Sequence, residues 1–402
     1  MTRGRWGCQA TGPVGHGHDY RSAVQVGDGR PAARANRPAR KYGIAPSRPV
    51  ELFRRGSPTL RALRIEQLYL QRTQTTDIIL TSCNEWNHPR EDSMQTPFGE
   101  ISVIDAHVHF FSHRFFSTLA AELPDSPSDA DFYPALRNRL PWEFPEADPA
   151  RLGRRWVAEI DRHGISRMVL IASVPGDEDS VAAVARASPD RIIPYFMLNP
   201  TSDDALARVK RAFADLGLKG VCLFPAMHRF HLWEARLLPI YETVAAYGGI
   251  VFVHCGHLKV GVRDKLGLPS RFEMRFANPV DLHGVAKIFP NLPFVIPHFG
   301  CGYFRELLLI ADQCANIYTD TSSSNDWVRF MPYPLDLSTL FTKTLQVLGP
   351  ERILFGTDSS FFPRGWRKDV FDAQVQVLEA LHVPSPQVAQ MLSGNIARLL
   401  DR

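Results

Sequence analysis

The sequence predicts an α/β chain folded as a (β/α)8 TIM barrel, preceded by a largely disordered N-terminal extension. Three observations carry that reading. From residue 101 onward, short apolar or β-branched runs alternate with amphipathic stretches, and eight strand candidates result. An open doubly wound sheet would carry a glycine-rich phosphate loop after its first strand, and "DAHVHFFSH" at 105–113 is not one. Histidine and aspartate also recur at the ends of several strands, where the catalytic face of such a barrel lies.

Taken in order, residues 1–98 come first. They hold 15 Lys+Arg against 8 Asp+Glu, whereas residues 99–402 hold 31 against 34, so the formal net charge of +4 belongs to the extension. Stretches such as "VGDGRPAARANRPARKYG" lack apolar periodicity and bury too little surface to offset the entropy of ordering. No apolar segment follows the early arginines, which argues against a secretory signal; an organelle transit peptide is the less favoured alternative. Translation from Met94 would place the first strand close to the N-terminus, so 1–98 is expected to be dispensable for chemistry. The near-neutral body argues against nucleic acid as a partner, and the absence of an apolar run of about 18 residues argues against a membrane span. The six cysteines (Cys8, Cys83, Cys222, Cys255, Cys301, Cys314) form no CxxC pair and read as reduced thiols in a cytoplasmic protein.

The strand candidates are 101–107, 166–172, 191–197, 218–224, 249–254, 293–298, 315–320 and 352–356. Helical patterns between them include 151–163, 201–215 and 302–313, the second with Thr201 or Ser202 as its cap. The long segment 123–150 reads as an insertion after the first barrel strand, a lid or pocket wall on the active face.

The chemistry begins at "VIDAHVHFF", 103–111. Residues i and i+2 of a strand share a face, so His107 and His109 can converge on one ion, with Asp105 expected beneath them on the same face. An isolated HxH is weak evidence. His254 in "VFVHCGH", His298 in "FVIPHFG" and Asp358 in "LFGTDSS" repeat the pattern at three other strand ends. Imidazoles and a carboxylate suit zinc first, and also manganese, iron or cobalt.

These motifs, with the closing "MLSGNIARLL", resemble the amidohydrolase superfamily over about 101–401, and more narrowly its 2-amino-3-carboxymuconate-6-semialdehyde decarboxylase-like branch. The resemblance implies a distorted barrel with one divalent ion. His107, His109, His254 and Asp358 match the metal ligands, and His298 matches the acid/base histidine. It also admits a homodimer. Dinuclear members bridge two metals with a lysine at the end of strand 4. Here Lys219 opens that strand, so a second metal is not expected.

Around this set, His228 and Arg364 are candidates for substrate contact; Arg367, His257 and Lys259 read as surface groups before they read as ligands of an anion. His231 and His113 are assigned to helices, Asp320 either to support of a ligand histidine or to a cap, and Cys255 to a face turned away from the site. Phe110, Phe111, Phe361 and Phe362 could form an aromatic pocket or pack in the core. The expected function is metal-dependent hydrolysis of a small-molecule ester, lactone or amide, with His298 and Asp358 catalytic. Two alternatives stand beside it: metal-dependent decarboxylation of an aromatic or unsaturated acid, and a non-catalytic metal- or ligand-binding barrel.

Overall fold

A computed structural model describes residues 93–124, 132–322 and 326–402. The expected disorder of the extension therefore falls almost wholly outside the described residues. Its last residues form a hairpin, β1 (Ser93–Thr96) with β2 (Gly99–Ser102), paired antiparallel. Gly99 turns it at φ +101°, and Thr96 Oγ1 accepts from Phe98 N and donates to Gly99 O. That turn takes Ile101 and Ser102 out of the expected first barrel strand.

The barrel strands are β3 (Ile104–Phe110), β4 (Arg167–Ala172), β5 (Ile192–Leu198), β6 (Gly220–Leu223), β7 (Ile250–Val253), β8 (Phe294–Ile296), β9 (Ile317–Asp320) and β10 (Ile353–Leu354). Each is parallel to the next in chain order, as right-handed βαβ connections require. Hydrogen bonds from Ala106 N to Phe355 O, His109 N to Ser359 O and Asp358 N to His107 O close the sheet between β3 and the segment after β10. The seam thus runs through three of the predicted site residues or their immediate neighbours.

Alternation along the strands divides the core into two layers. In β5, Ile193, Tyr195 and Met197 fill the barrel, while Ile192, Phe196 and Leu198 pack outward against the helices. β3 breaks the rule once. Its pairing with β4 shifts between Asp105 and Val108, so Ala106 and His107 belong to the inside together, and Val108 and Phe110 to the outer layer. Asp105 is therefore not on the face of His107 and His109, contrary to the simple i, i+2 expectation.

The expected helices at 151–163 and 302–313 are Pro149–His163 and Phe304–Gln313. The middle one begins only at Ala205 and ends at Ala214. Thr201 and Ser202 do not cap it, because Asn199 holds both: its Oδ1 accepts from Thr201 N and Oγ1, and its carbonyl accepts from Ser202 Oγ. His113 opens the helix His113–Ala120, as expected. No helix among the described residues is long and apolar enough to cross a membrane.

The loops after β7 and β8 meet at Gly256, whose φ is +88°. A Cβ there would stand 2.2 Å from Cys301 O and 2.4 Å from Gly300 O. Gly256→Ala should lower stability by roughly 1–3 kcal/mol by straining the backbone that carries His254 and His298. Denaturant unfolding of the two proteins would measure it, and an unchanged midpoint would contradict it.

Candidate metal centre

β3 delivers His107 and His109 to the barrel mouth, and the turn after β10 delivers Asp358. His107 Nε2 and His109 Nε2 lie 3.3 Å apart, His109 Nε2 lies 3.3 Å from Asp358 Oδ1, and His107 Nε2 lies 3.7 Å from the same oxygen. Atoms bound at about 2.1 Å to one ion stand about 3.0–3.4 Å apart, so the spacing fits a shared cation.

The hydrogen bonds behind the rings strengthen the case. His107 Nδ1 donates to Asp320 Oδ2 at 2.8 Å. His109 Nδ1 donates to Ser173 Oγ at 2.8 Å, since that hydroxyl gives its own proton to Ile171 O. Both rings are thus held as Nδ1–H tautomers with the Nε2 lone pairs forward. In these tautomers two imidazole lone pairs and a carboxylate face one another, an arrangement a divalent cation satisfies.

His254 and His298 stand beside this trio. Their ring centroids are 5.2 Å apart, and that of His298 is 4.9 Å from that of His107. His298 Nδ1 donates to Ser322 O at 2.9 Å, which turns its own Nε2 into a base. His254 stacks on Phe224 with its Nδ1 buried and without a hydrogen-bond partner among the described residues, so this ring has unused binding capacity at the site. It lies outside the three atoms in closest mutual range.

Asp320 organises the set. Buried completely, it accepts from His107 Nδ1, from the backbone N–H groups of His298 and Ser322 at 3.0 Å each, and from Ser322 Oγ. Burial is the largest influence and pushes its carboxyl up, but His107, His298 and these hydrogen bonds outweigh it and bring the value to about 2. The same opposition, with His109 and His107 as partners, holds Asp358 well below the carboxylate range. Burial depresses His109, His254 and His298, keeping them as neutral imidazoles. His107 is raised, because Asp320 overcomes the effect of burial.

Asp105 braces the seam. It accepts from His107 N at 2.9 Å, Trp366 Nε1 at 2.8 Å, Thr357 N at 3.2 Å and Thr357 Oγ1. Burial pushes its carboxyl up to about 6. His298 and Asp358 both adopt left-handed backbone, φ 57° and 58°, unusual for residues with a Cβ. Asp320 Oδ1 holds the first by its N–H, and His107 O holds the second.

Above the trio opens a cavity of about 640 Å³, lined by His109, His254, His298 and Asp358 at its polar end. Arg364 lines it, as do Phe111 and Phe361. Phe110 and Phe362 are packed in the outer core, because adjacent residues point to opposite sides. His228 is not among the lining residues; it sits in the short helix Pro225–His228, and burial lowers its pKa to about 4. Lys259 and Arg367 reach the cavity but pair with Asp264 and Asp369. His257 packs on Phe330, and His231 lies in irregular backbone rather than the expected helix, bonded to Asp281. Lys219 is exposed immediately before β6, at the far end of the barrel. Cys255 is buried among outer-layer residues. Sequence reasoning missed Ser173, Ser322 and Trp142. The first two are polar residues at or just past strand ends; the last lies in the insertion.

Residues 104–402 match the amidohydrolase family model. The chain belongs to the amidohydrolase family. Among solved structures it is similar to 5-carboxyvanillate decarboxylase from Sphingomonas paucimobilis, with TM-score 0.51, 18% identity, 75% of this chain and 99% of that one covered. A 5-carboxyvanillate decarboxylase from Novosphingobium aromaticivorans, complexed with manganese and 4-hydroxy-3-methoxy-5-nitrobenzoic acid, superposes with TM-score 0.55 at 16% identity, covering 77% and 99%. An uncharacterised TIM-barrel protein from Bordetella bronchiseptica gives 0.51 at 21%, covering 75% and 99%. At these identities the likeness is one of fold. No curated protein sequence matches the chain.

Two outcomes follow from the electrostatics. Asp320→Asn should weaken divalent-metal binding about 10–100-fold by releasing the His107 tautomer, as a manganese or zinc titration would measure. His228 is neutral in the folded chain from about pH 4 upward but protonates near pH 6.5 when unfolded. The unfolded state therefore binds more protons across that window, and stability falls as pH drops from about 6.5 to 4. His228→Gln should lose less stability than the wild type between pH 7 and 5 in denaturant titrations.

Proposed function

We propose that this protein is a metal-dependent hydrolase of a small molecule, cleaving an ester, lactone or amide. The observation that carries the reading is the trio of forward-facing acceptor atoms, with the Nε2 base of His298 alongside, at the floor of an open-mouthed cavity. A divalent ion, zinc or manganese, would be held by His107, His109, His254 and Asp358, and would supply Lewis acidity and water activation near neutral pH. His298 is placed to take a proton at Nε2 from the attacking water and return it to the leaving group. Ser322 holds that ring in the working tautomer, and Asp320 holds the His298 backbone. Phe111, Trp142 and Phe361 exclude water from the cavity wall and give an organic substrate its apolar contact.

A second reading is decarboxylation of an unsaturated or aromatic acid. It is favoured by Arg364, a cation next to the Asp358 backbone, together with those aromatic walls. The fold is shared with a decarboxylase that binds manganese and a benzoic acid derivative. Hydrolysis is preferred because the tautomers present bases at the cavity floor, whereas carbon protonation requires an acid.

The reading predicts that chelation abolishes turnover and that zinc or manganese restores it. His298→Asn should reduce kcat about 10²–10⁴-fold with metal content unchanged. Metal analysis together with a panel of lactones, esters, amides and aromatic acids tests it. Carbon dioxide release without hydrolysis would select the second reading, and no turnover by the metal-loaded protein would sink both.

A further inference from the structure

We infer that Gln374 is a positioning residue of the candidate metal centre: through Thr321, its carboxamide ties the exits of β9 and β10 together and so fixes where Asp358 stands relative to His107 and His109. The inference rests on that trio being the cation site of the function proposed above.

Gln374 lies on the helix Lys368–Ala380, on the face where Phe371, Val375 and Leu378 pack into the core. It is only 1% exposed. A buried carboxamide is costly unless its donor and acceptor are matched, and an apolar residue would fill the same place without that cost. The partners lie just past two barrel strands. Gln374 Nε2 donates to Thr321 O at 2.8 Å, and its Oε1 accepts from Thr321 Oγ1 at 2.6 Å. Thr321 Oγ1 in turn accepts from Gly356 N at 3.3 Å, while Gln374 Nε2 reaches Gly356 O at 3.5 Å.

This link stands where the sheet runs out. β10 is two residues long, and its pairing with β9 ends at Leu354 opposite Asp320. One more backbone bond follows, from Thr321 N to Leu354 O. Beyond it the two segments part, one leading to Ser322 and the other to Asp358. A carboxamide is chemically a peptide group, and here it supplies the donor and acceptor that a further rung of the sheet would supply. Its partner Thr321 directly follows Asp320, and Gly356 is two residues before Asp358. Gly356 is itself pressed against the site, since a Cβ on it would stand 2.9 Å from His107 Cβ and 3.6 Å from Asp320 Cγ. Without the link, Gly356 is free to draw away from His107 and to carry Asp358 with it. Asp105 grips the same exit from the β3 side through Thr357. The β9 side is held by Gln374.

Calorimetric titration of the metal-free protein with manganese(II) tests the inference, with denaturant unfolding of each metal-free variant beside it. Gln374→Met keeps the length of the side chain and removes both polar groups. Thr321→Val keeps the branched shape and removes the hydroxyl bridge to Gly356. Each should weaken manganese binding about tenfold, whereas Thr321→Ser, which retains the hydroxyl, should stay within about threefold of wild type. Val375→Ala deletes apolar packing on the same helix and none of these hydrogen bonds, so it should lower stability and leave manganese affinity unchanged. If Gln374→Met does not fold, the Thr321→Val and Thr321→Ser pair carries the comparison. Wild-type affinity in Thr321→Val, or an equal loss of affinity in Val375→Ala, would overturn the inference and leave the hydrolase reading intact. Manganese binding that depends on Gln374 and Thr321 in a protein that turns over no substrate would support the inference and sink that reading. A wild type that binds neither manganese nor zinc would sink both.

Discussion

One buried carboxylate, that of Asp320, is the constraint on which the site depends. It sits between two histidines from different strands, accepting from the ring of His107 and the backbone of His298. A buried anion is costly unless nearly every lone pair is matched, and here four donors match it. The same contacts fix His107 as an Nδ1–H tautomer. In that tautomer the forward Nε2 is an acceptor, and with His109 Nε2 and Asp358 Oδ1 it forms a candidate cation site.

Geometry at the barrel seam serves the same end. The shift in β3 turns His107 inward alongside Ala106, and the hydrogen bond from Asp358 N to His107 O ties the last ligand candidate to the first. Left-handed backbone at His298 and Asp358 is disfavoured by about 1–3 kcal/mol each. It persists because neighbouring hydrogen bonds determine it, and it aims both side chains at one point. Asp105, Thr357 and Trp366 brace that seam from the outer side.

The cavity walls stand over this polar floor. Aromatic rings from the β3 insertion and the β10 loop are stacked on one another, and arginine and lysine residues ring the opening. The insertion therefore acts as a wall of the site, a role that distance along the chain alone could not assign to any of its residues.

Much of this was legible in the residues. Period-two and helical patterns located all eight barrel strands, and polar residues just past apolar runs marked His107, His109, His254, His298 and Asp358. Those signals are local, because a strand end on the catalytic face must carry its functional group within a residue or two of the last apolar position. What the tertiary structure decided was orientation. The register shift in β3 sent Asp105 to the opposite face from His107. The separation of Phe110 from Phe111, and of Phe362 from Phe361, between core and cavity depended on backbone direction at the barrel rim. Ser173 and Ser322 became tautomer-setting partners only when strands distant in sequence met. Sequence by itself determined which chemical groups stand at the barrel mouth; only folding decided which of their atoms face one another, since hydrogen bonds between remote strands set both the proton positions and the backbone strain.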